Sequence, residues 1–219
     1  MGSKRFICIS LLFALFLSSL LLLYQPILSR AGRFLAPCSI ERAEVVILDG
    51  SQIPKKGAIN AGLRLLLNGK AKRLFVVIHQ PVESLKLFVL EREYAQLLVN
   101  ESDRIGLEKV RFQIVVVPSN GHPVTLNEAR FVVTILSKDE IRSAILLSKG
   151  FHTRRSFGIY SQEGARVGLR VIPLPYFNKY KDDNWWQHAE GVHDLFEQYI
   201  KLFYYVIRGY VSIKYLYCP

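Results

Sequence analysis

AEVVILDG, residues 43–50, is an unbroken apolar run that stops on an acid and a glycine. Val45 to Leu48 leave no polar position for a solvent face, so the run reads as a strand buried on both sides. AINAGLRLLLNG (58–69) follows with helical periodicity and ends at Gly69, a natural C-terminal cap. RLFVVI (73–78), FQIVVVP (112–118), SAILLS (143–148) and VGLRVIPLP (167–175) repeat the strand signature. Helical patterns lie between them. One covers 84–99, with Leu85, Phe88, Val89, Tyr94 and Leu97 on one side, and others cover 125–138 and 153–162. A last long helix is expected over 185–207. Strict strand–helix alternation without an internal repeat predicts one α/β domain, a three-layer Rossmann-like fold with a mainly parallel sheet of about five strands.

In such a sheet ligands bind at the carboxyl ends of the strands. That rule selects the loops 49–56, 79–83, 118–125 and 148–155. The fourth, within AILLSKGFHTRRSF (144–157), is the richest. Ser148 ends a strand, Gly150 permits a tight turn, and His152 and Thr153 stand at a helix start, where backbone N–H groups favour an anion. Lys149, Arg154 and Arg155 add cationic donors suited to phosphate or carboxylate. His152 is a candidate acid or base. The bland reading of this loop is a solvated basic turn.

Asp49, with Gly50 and Ser51 beside it, places a carboxylate at the first strand end; the alternative is a turn residue bonding its own backbone. In TLNEARFVVTILSK (125–138) Thr125 and Glu128 match a capping box, and Asn127, Glu128 and His122 are candidates to face the same cleft. His188, Glu190, His193 and Glu197 carry helical spacing that a metal site uses, although a solvated salt-bridge face explains it equally. No G-x-x-x-x-G-K-[ST], G-x-G-x-x-G, G-x-S-x-G or H-E-x-x-H motif occurs. No resident metal is expected, and the residues specify no cofactor.

The chain has 219 residues, half of them hydrophobic, and a net charge of +11. FICISLLFALFLSSLLLLYQPIL, 6–28, carries no charge and is about 23 residues long, roughly 35 Å as a helix, enough to cross a bilayer. Its length and the poor cleavage site in LSRAGRF favour an uncleaved anchor over a signal peptide. The expected organisation is a cytoplasmic tail 1–5, a transmembrane anchor 6–28, a linker 29–42, the domain 43–207 and an aromatic, basic tail 208–219. A short tail ahead of a single span puts the domain on the far side of the membrane. Lys201, Arg208 and Lys214 interrupt the C-terminal aromatic run, which suits a bilayer interface rather than a second span. The charge suits anionic lipid or acidic glycan; nucleic acid is set aside because no Arg/Lys-rich helix with base-reading residues occurs. Cys38 and Cys218 are left as a terminal disulfide or two thiols, since spacing does not choose.

The order AEVVILDG, AGLRLLLNGKAKRLFVV (61–77), TLNEA (125–129), SKGFHTRRS (148–156), WW (185–186) and LFEQYIKL (195–202) resembles the SanA/YdcF/ElyC-like family, which shares a Rossmann-like domain of unknown function. The resemblance runs from about 43 to 205. Thr125 with Glu128 matches the family's T-x-(E/N)-(N/E) step, and Ser148, His152 and Arg155 match its S-x-x-(F/Y)-H-x-x-R loop. Glu93 and Glu197 are similar in place to two acidic family positions. Leu48-Asp49-Gly50 stands where the family has Leu-Gly-Gly, Val77-Ile78-His79 where it has Ser-Gly-Gly, and Ala58 where it has an arginine.

The resemblance implies a bacterial inner-membrane, single-pass protein with an extracytoplasmic domain acting in envelope or peptidoglycan biogenesis. Its expected ligand is an anionic, phosphate-bearing small molecule or lipid-linked glycan precursor. Asp49, Gly50, Ser51, Thr125, Asn127, Ser148, Lys149, Gly150 and Arg155 would bind it; His152 would move a proton, with Glu128 orienting it. Whether the chain is an enzyme is left open; if it is one, transfer or hydrolysis at phosphate is the expected reaction class. A non-catalytic scaffold with a degenerate cleft is the alternative, and a methyl-donor-binding enzyme a third, carried by the resemblance alone.

Overall fold

A computed structural model describes residues 24–50, 56–80, 84–107, 111–118 and 121–217. Five strands, β1 (Val45–Leu48), β2 (Arg73–His79), β3 (Phe112–Val117), β4 (Ser143–Lys149) and β5 (Arg170–Tyr176), form one all-parallel sheet. Their order is β3-β2-β1-β4-β5. The helices are α1 (residues 24–35), α2 (Lys56–Leu67), α3 (Ser84–Arg104), α4 (Val124–Lys138), α5 (Thr153–Ala165) and α6 (Ala189–Ile207). Among the described residues no helix is long and apolar enough to cross a membrane; the expected span largely falls on 6–23, outside them. Ser51 and Cys218 also lie outside the described residues, as do the side chains of Leu85 and Phe88.

Both sheet faces are covered, which is why the central strands are apolar between their ends, whereas the edge strand β3 leaves Gln113 exposed. α2 and α3 close one face over Val46, Leu48, Leu74, Val76 and Leu147. α4, α5, α6 and the end of α1 close the other over Ile47, Phe75, Val77 and Leu146. The chain builds outward from β1 through β2 to β3, then crosses back over the opposite face to β4. That reversal makes the β1–β4 junction the topological switch point, where the loops after two adjacent strands diverge and leave a crevice. Leu48 pairs with Leu147, and the Asp49 amide donates to the Leu147 carbonyl at 3.0 Å. Asp49 and Ser148 are thereby set side by side.

Three local expectations are corrected. Thr125 is not an N-cap: Pro123, in extended backbone, precedes the helix, which starts at Val124 and has no side-chain cap. With its fixed φ and no N–H, Pro123 suits the position before a first turn. The capping box is therefore not formed, and Thr125 and Glu128 are released for other partners. Val89, expected on the buried side of α3, is exposed, whereas Tyr94 is buried as expected, together with Leu98. The expected final helix is broken at His188 into a 3₁₀ turn, Trp185–Gln187, and α6. Gly69, in left-handed backbone, ends α2 as expected.

Beyond Arg208 the chain folds back over α5. Val211 and Leu216 are buried, and Gly158 leaves room for them: a Cβ there would lie 2.7 Å from Leu216 and 3.0 Å from Val211.

Candidate functional site

A cleft of about 810 Å³ opens at the carboxyl ends of the strands. Asp49 and Gly50 contribute from β1, His79 from β2, Thr125 and Glu128 from α4, His152 and Arg155 from the β4–α5 junction, and Lys201 and Tyr205 from α6. The switch point thus gathers side chains from Asp49 to Tyr205, 156 positions apart in the chain.

Asp49 is the hub. Ser148 Oγ donates to its Oδ2 at 2.7 Å, and His152 Nε2 lies 3.4 Å from the same oxygen. Burial works to raise its pKa, but His152 and hydrogen bonds from the neighbouring groups outweigh it, and the carboxyl titrates below its ordinary value. Its other oxygen, Oδ1, is buried without a hydrogen-bond partner among the described residues. Gly50 is needed beside it because a Cβ would lie 2.4 Å from the Val77 carbonyl oxygen.

His152 is held on both ring nitrogens. Arg155 Nη2 lies 2.9 Å from Nδ1, and since a guanidinium only donates, Nδ1 is the acceptor. Nε2 therefore carries the proton and donates to Ser156 Oγ at 2.9 Å. Burial, followed by the Arg155 charge, pushes the imidazole down to about 4. It is neutral and fixed in one tautomer at physiological pH. Arg155 also donates through Nη1 to Thr125 Oγ1 at 2.8 Å and through Nη2 to Gln198 Oε1 at 3.2 Å. Its guanidinium stacks 4.8 Å over the Tyr205 ring, and its buried Nε has no hydrogen-bond partner among the described residues.

Glu128 anchors a second arm. Tyr160 donates its hydroxyl to Oε1 at 2.7 Å, and His79 Nε2 lies 2.8 Å from Oε2. Burial, then the charge of Asp49, raises the carboxyl to about 7. The hydrogen bond to Glu128 raises His79 in turn. Glu128 thus stands near half-protonation at neutral pH, in contact with an imidazole whose hold on its own proton is strengthened.

The expected residues divide. Asp49, Gly50, Thr125, Glu128, Lys149, His152 and Arg155 line the cleft, with Ser148 buried behind Asp49. Lys149 is at the mouth, its amine 3.1 Å from Asp194. Gly150 lines a smaller neighbouring groove, in left-handed backbone against the Phe177 ring. Asn127 turns to the Gly121 carbonyl and a separate groove beside Arg130. Arg154 leaves the site: its guanidinium donates to the carbonyls of Phe34 and Leu216 and tethers α5 to α1 and the C-terminal segment. Glu93 is exposed on α3.

On α6, Glu190 pairs with Lys179 at 2.5 Å. His193, Asp194 and Glu197 bring their ligand atoms within 4.8 Å of one another. Lys149 and Tyr180 engage Asp194, and Lys201 engages Glu197, so cations and hydroxyls already balance these acids.

His79, Tyr160, Ser156 and Gln198 were not among the expected site residues. His79 carried one signal, its position at a strand carboxyl end; the other three carried none. No family model, curated protein or solved structure matches this chain.

Proposed function

We propose that this chain is a membrane-anchored α/β protein whose switch-point cleft binds an anionic, phosphate-bearing ligand and carries out transfer or hydrolysis at phosphate. The observation that carries this reading is the convergence of the Arg155 guanidinium with the carboxyls of Asp49 and Glu128 on one cleft at the strand carboxyl ends. The guanidinium suits a phosphoryl oxygen, and the carboxyls suit an attacking hydroxyl or water. Glu128, ionised beside protonated His79, takes the proton of the attacking hydroxyl or water as its oxygen bonds to phosphorus, and returns that proton to the leaving oxygen as the other P–O bond breaks. Arg155 offsets charge on the phosphoryl oxygens. His152 is a positioning residue here, since both its nitrogens are engaged. The uncharged run 6–28 supports the anchor, and the resemblance to the SanA/YdcF/ElyC-like family supports a role in the bacterial envelope.

A second reading, a non-catalytic binding protein, is favoured by the mouth cations: Lys149 and Lys201 are both paired with acids of α6. One experiment separates the two. The full chain in detergent micelles is tested for thermal stabilisation by inorganic phosphate, nucleotides and a lipid diphosphate, and for phosphate release. Stabilisation lost in Arg155→Lys, together with turnover lost in Glu128→Gln, supports the enzyme. Stabilisation without turnover supports the binding protein. No stabilisation by any of these ligands rejects the phosphate reading.

A further inference from the structure

α6 has two working sides. Tyr205 and Gln198 face the cleft, and Leu195 and Leu202 enter the core. A third row, Phe196, Ile200, Phe203 and Ile207, has the spacing i, i+4, i+7, i+11 of one helix face, and its members are 59, 69, 68 and 65% exposed. Four large apolar side chains in a line on a surface mark something that covers them.

The chain indicates what covers the row. α1 lies against α6: Tyr199 donates its hydroxyl to the Ala31 carbonyl at 3.0 Å and stacks on Phe34. Trp185, just ahead of α6, donates to the Leu28 carbonyl at 3.0 Å. The uncharged segment 6–23 runs directly into α1, so the apolar row stands on the helix packed against the entry point of the expected span.

Composition points the same way. No Asp or Glu occurs from Met1 to Ile40, and none from Gln198 to Pro219. The second stretch holds Lys201, Arg208 and Lys214 together with tyrosines at 199, 204, 205, 210, 215 and 217. Arg208 lies over the Tyr210 ring and Lys214 over the Tyr215 ring. From Ile200 onward the apolar row is flanked by tyrosines and cations with no acid, and Glu197 beside Phe196 is paired with Lys201, which matches the boundary between acyl chains and anionic headgroups.

We propose that the Phe196–Ile200–Phe203–Ile207 face of α6 docks in the interface of an anionic bilayer, laying the domain down beside its anchor. Tyr204 lines the cleft and adjoins this row, so docking holds the cleft mouth beside the headgroup layer, where a lipid-linked phosphate would be presented. The inference builds on the anchored reading given above.

The test uses the full chain, with Cys8, Cys38 and Cys218 replaced by serine, reconstituted in vesicles of phosphatidylglycerol and phosphatidylethanolamine. An environment-sensitive fluorophore is attached at Phe203→Cys, at Ile200→Cys as a second reporter, or at Asn68→Cys beyond α2 as a control. Spin-labelled lipid should quench the two α6 reporters about threefold more than the control, and neutral phosphatidylcholine vesicles should reduce the difference. Equal quenching at all three sites overturns the proposal. So does concentration-dependent self-quenching of the α6 reporters without lipid quenching, which identifies a second copy as the occupant. Alkaline extraction of the same vesicles reports on the anchor separately: a chain that stays in the membrane but shows equal quenching keeps the anchor and loses the docking face.

Discussion

Nη2 of Arg155 stands 2.9 Å from Nδ1 of His152, and one turn of α5 separates the two residues. The contact sets the tautomer of the imidazole and directs its N–H toward Ser156 and Asp49. In the native chain the ¹⁵N shifts of His152 should report the neutral Nε2–H form until the pH approaches about 4. Arg155→Met removes the neighbouring charge that helps depress the imidazole, so its pKa should rise. A native His152 titrating at its ordinary 6.5 would contradict this arrangement.

Glu128 and His152 oppose each other in pH dependence. Glu128 titrates near 7 when folded against an ordinary 4.5, so its contribution to stability is complete at low pH and lost as pH rises through 7. His152 titrates near 4 when folded against 6.5, so stability is lost as pH falls through that window. Between 4.5 and 6.5 the two slopes largely cancel. Glu128→Gln removes the first, together with the rise it causes in His79, which has the same sign, and leaves the His152 slope. Chemical denaturation of that variant should show stability climbing from pH 4 to pH 6.5 by up to about 3 kcal/mol, where the native chain changes little.

Arg154 and Arg155 are neighbours with different duties. Arg154 sits 4.7 Å over the Phe34 ring and donates to two backbone carbonyls on segments far from α5. Arg154→Gln should cost about 2 kcal/mol of stability and leave phosphate-ligand binding unchanged in the folded fraction. Arg155→Lys should do the reverse. Calorimetry with ligand titration on both variants reads the split; an equal loss of binding in both would reject it.

Gly50 is fixed by space and Gly69 by backbone conformation. A Cβ at Gly50 would press on the Val77 carbonyl at 2.4 Å, and backbone cannot easily yield, so Gly50→Ala should cost about 1–3 kcal/mol and disturb the cleft. Gly69 has open space but left-handed φ of 63°, and its alanine variant should cost about 1 kcal/mol without reaching the site. Thermal unfolding of both, with ligand binding of the first, tests the distinction.

Asp49 raises Glu128 by placing a second negative charge beside it. Asp49→Asn should therefore lower the Glu128 pKa from about 7, read by carboxyl ¹³C shifts or by the acidic limb of a pH–rate profile. An unchanged Glu128 would mean that burial alone sets its proton affinity.

Much of this was legible from residues alone. VVIL, RLFVVI and SAILLS are strands because no polar position interrupts them, and their alternation with helical periodicity fixes a parallel sheet. The carboxyl-end rule selects the loops that hold Asp49, His152 and Arg155, and Glu128 follows from the helix start just after the third of them. Capping was misread at Thr125 because Pro123, two residues earlier, supplies the helix start, leaving the threonine hydroxyl to accept from Arg155.

The sequence by itself determined the elements, the two-sided burial of the strands, the uncharged run before the domain and the acid-free stretch after Glu197. Those are properties of local spacing and composition. Only the tertiary structure decided that β4 returns beside β1, that Arg155 rather than Arg154 enters the cleft, and that Glu128 meets His79 and Tyr160. The Ser148–Asp49 hydrogen bond spans 99 positions, and nothing in either neighbourhood encodes the other. Such pairings follow from sheet order and from which helix face the core claims, so they exist only once the whole chain has folded.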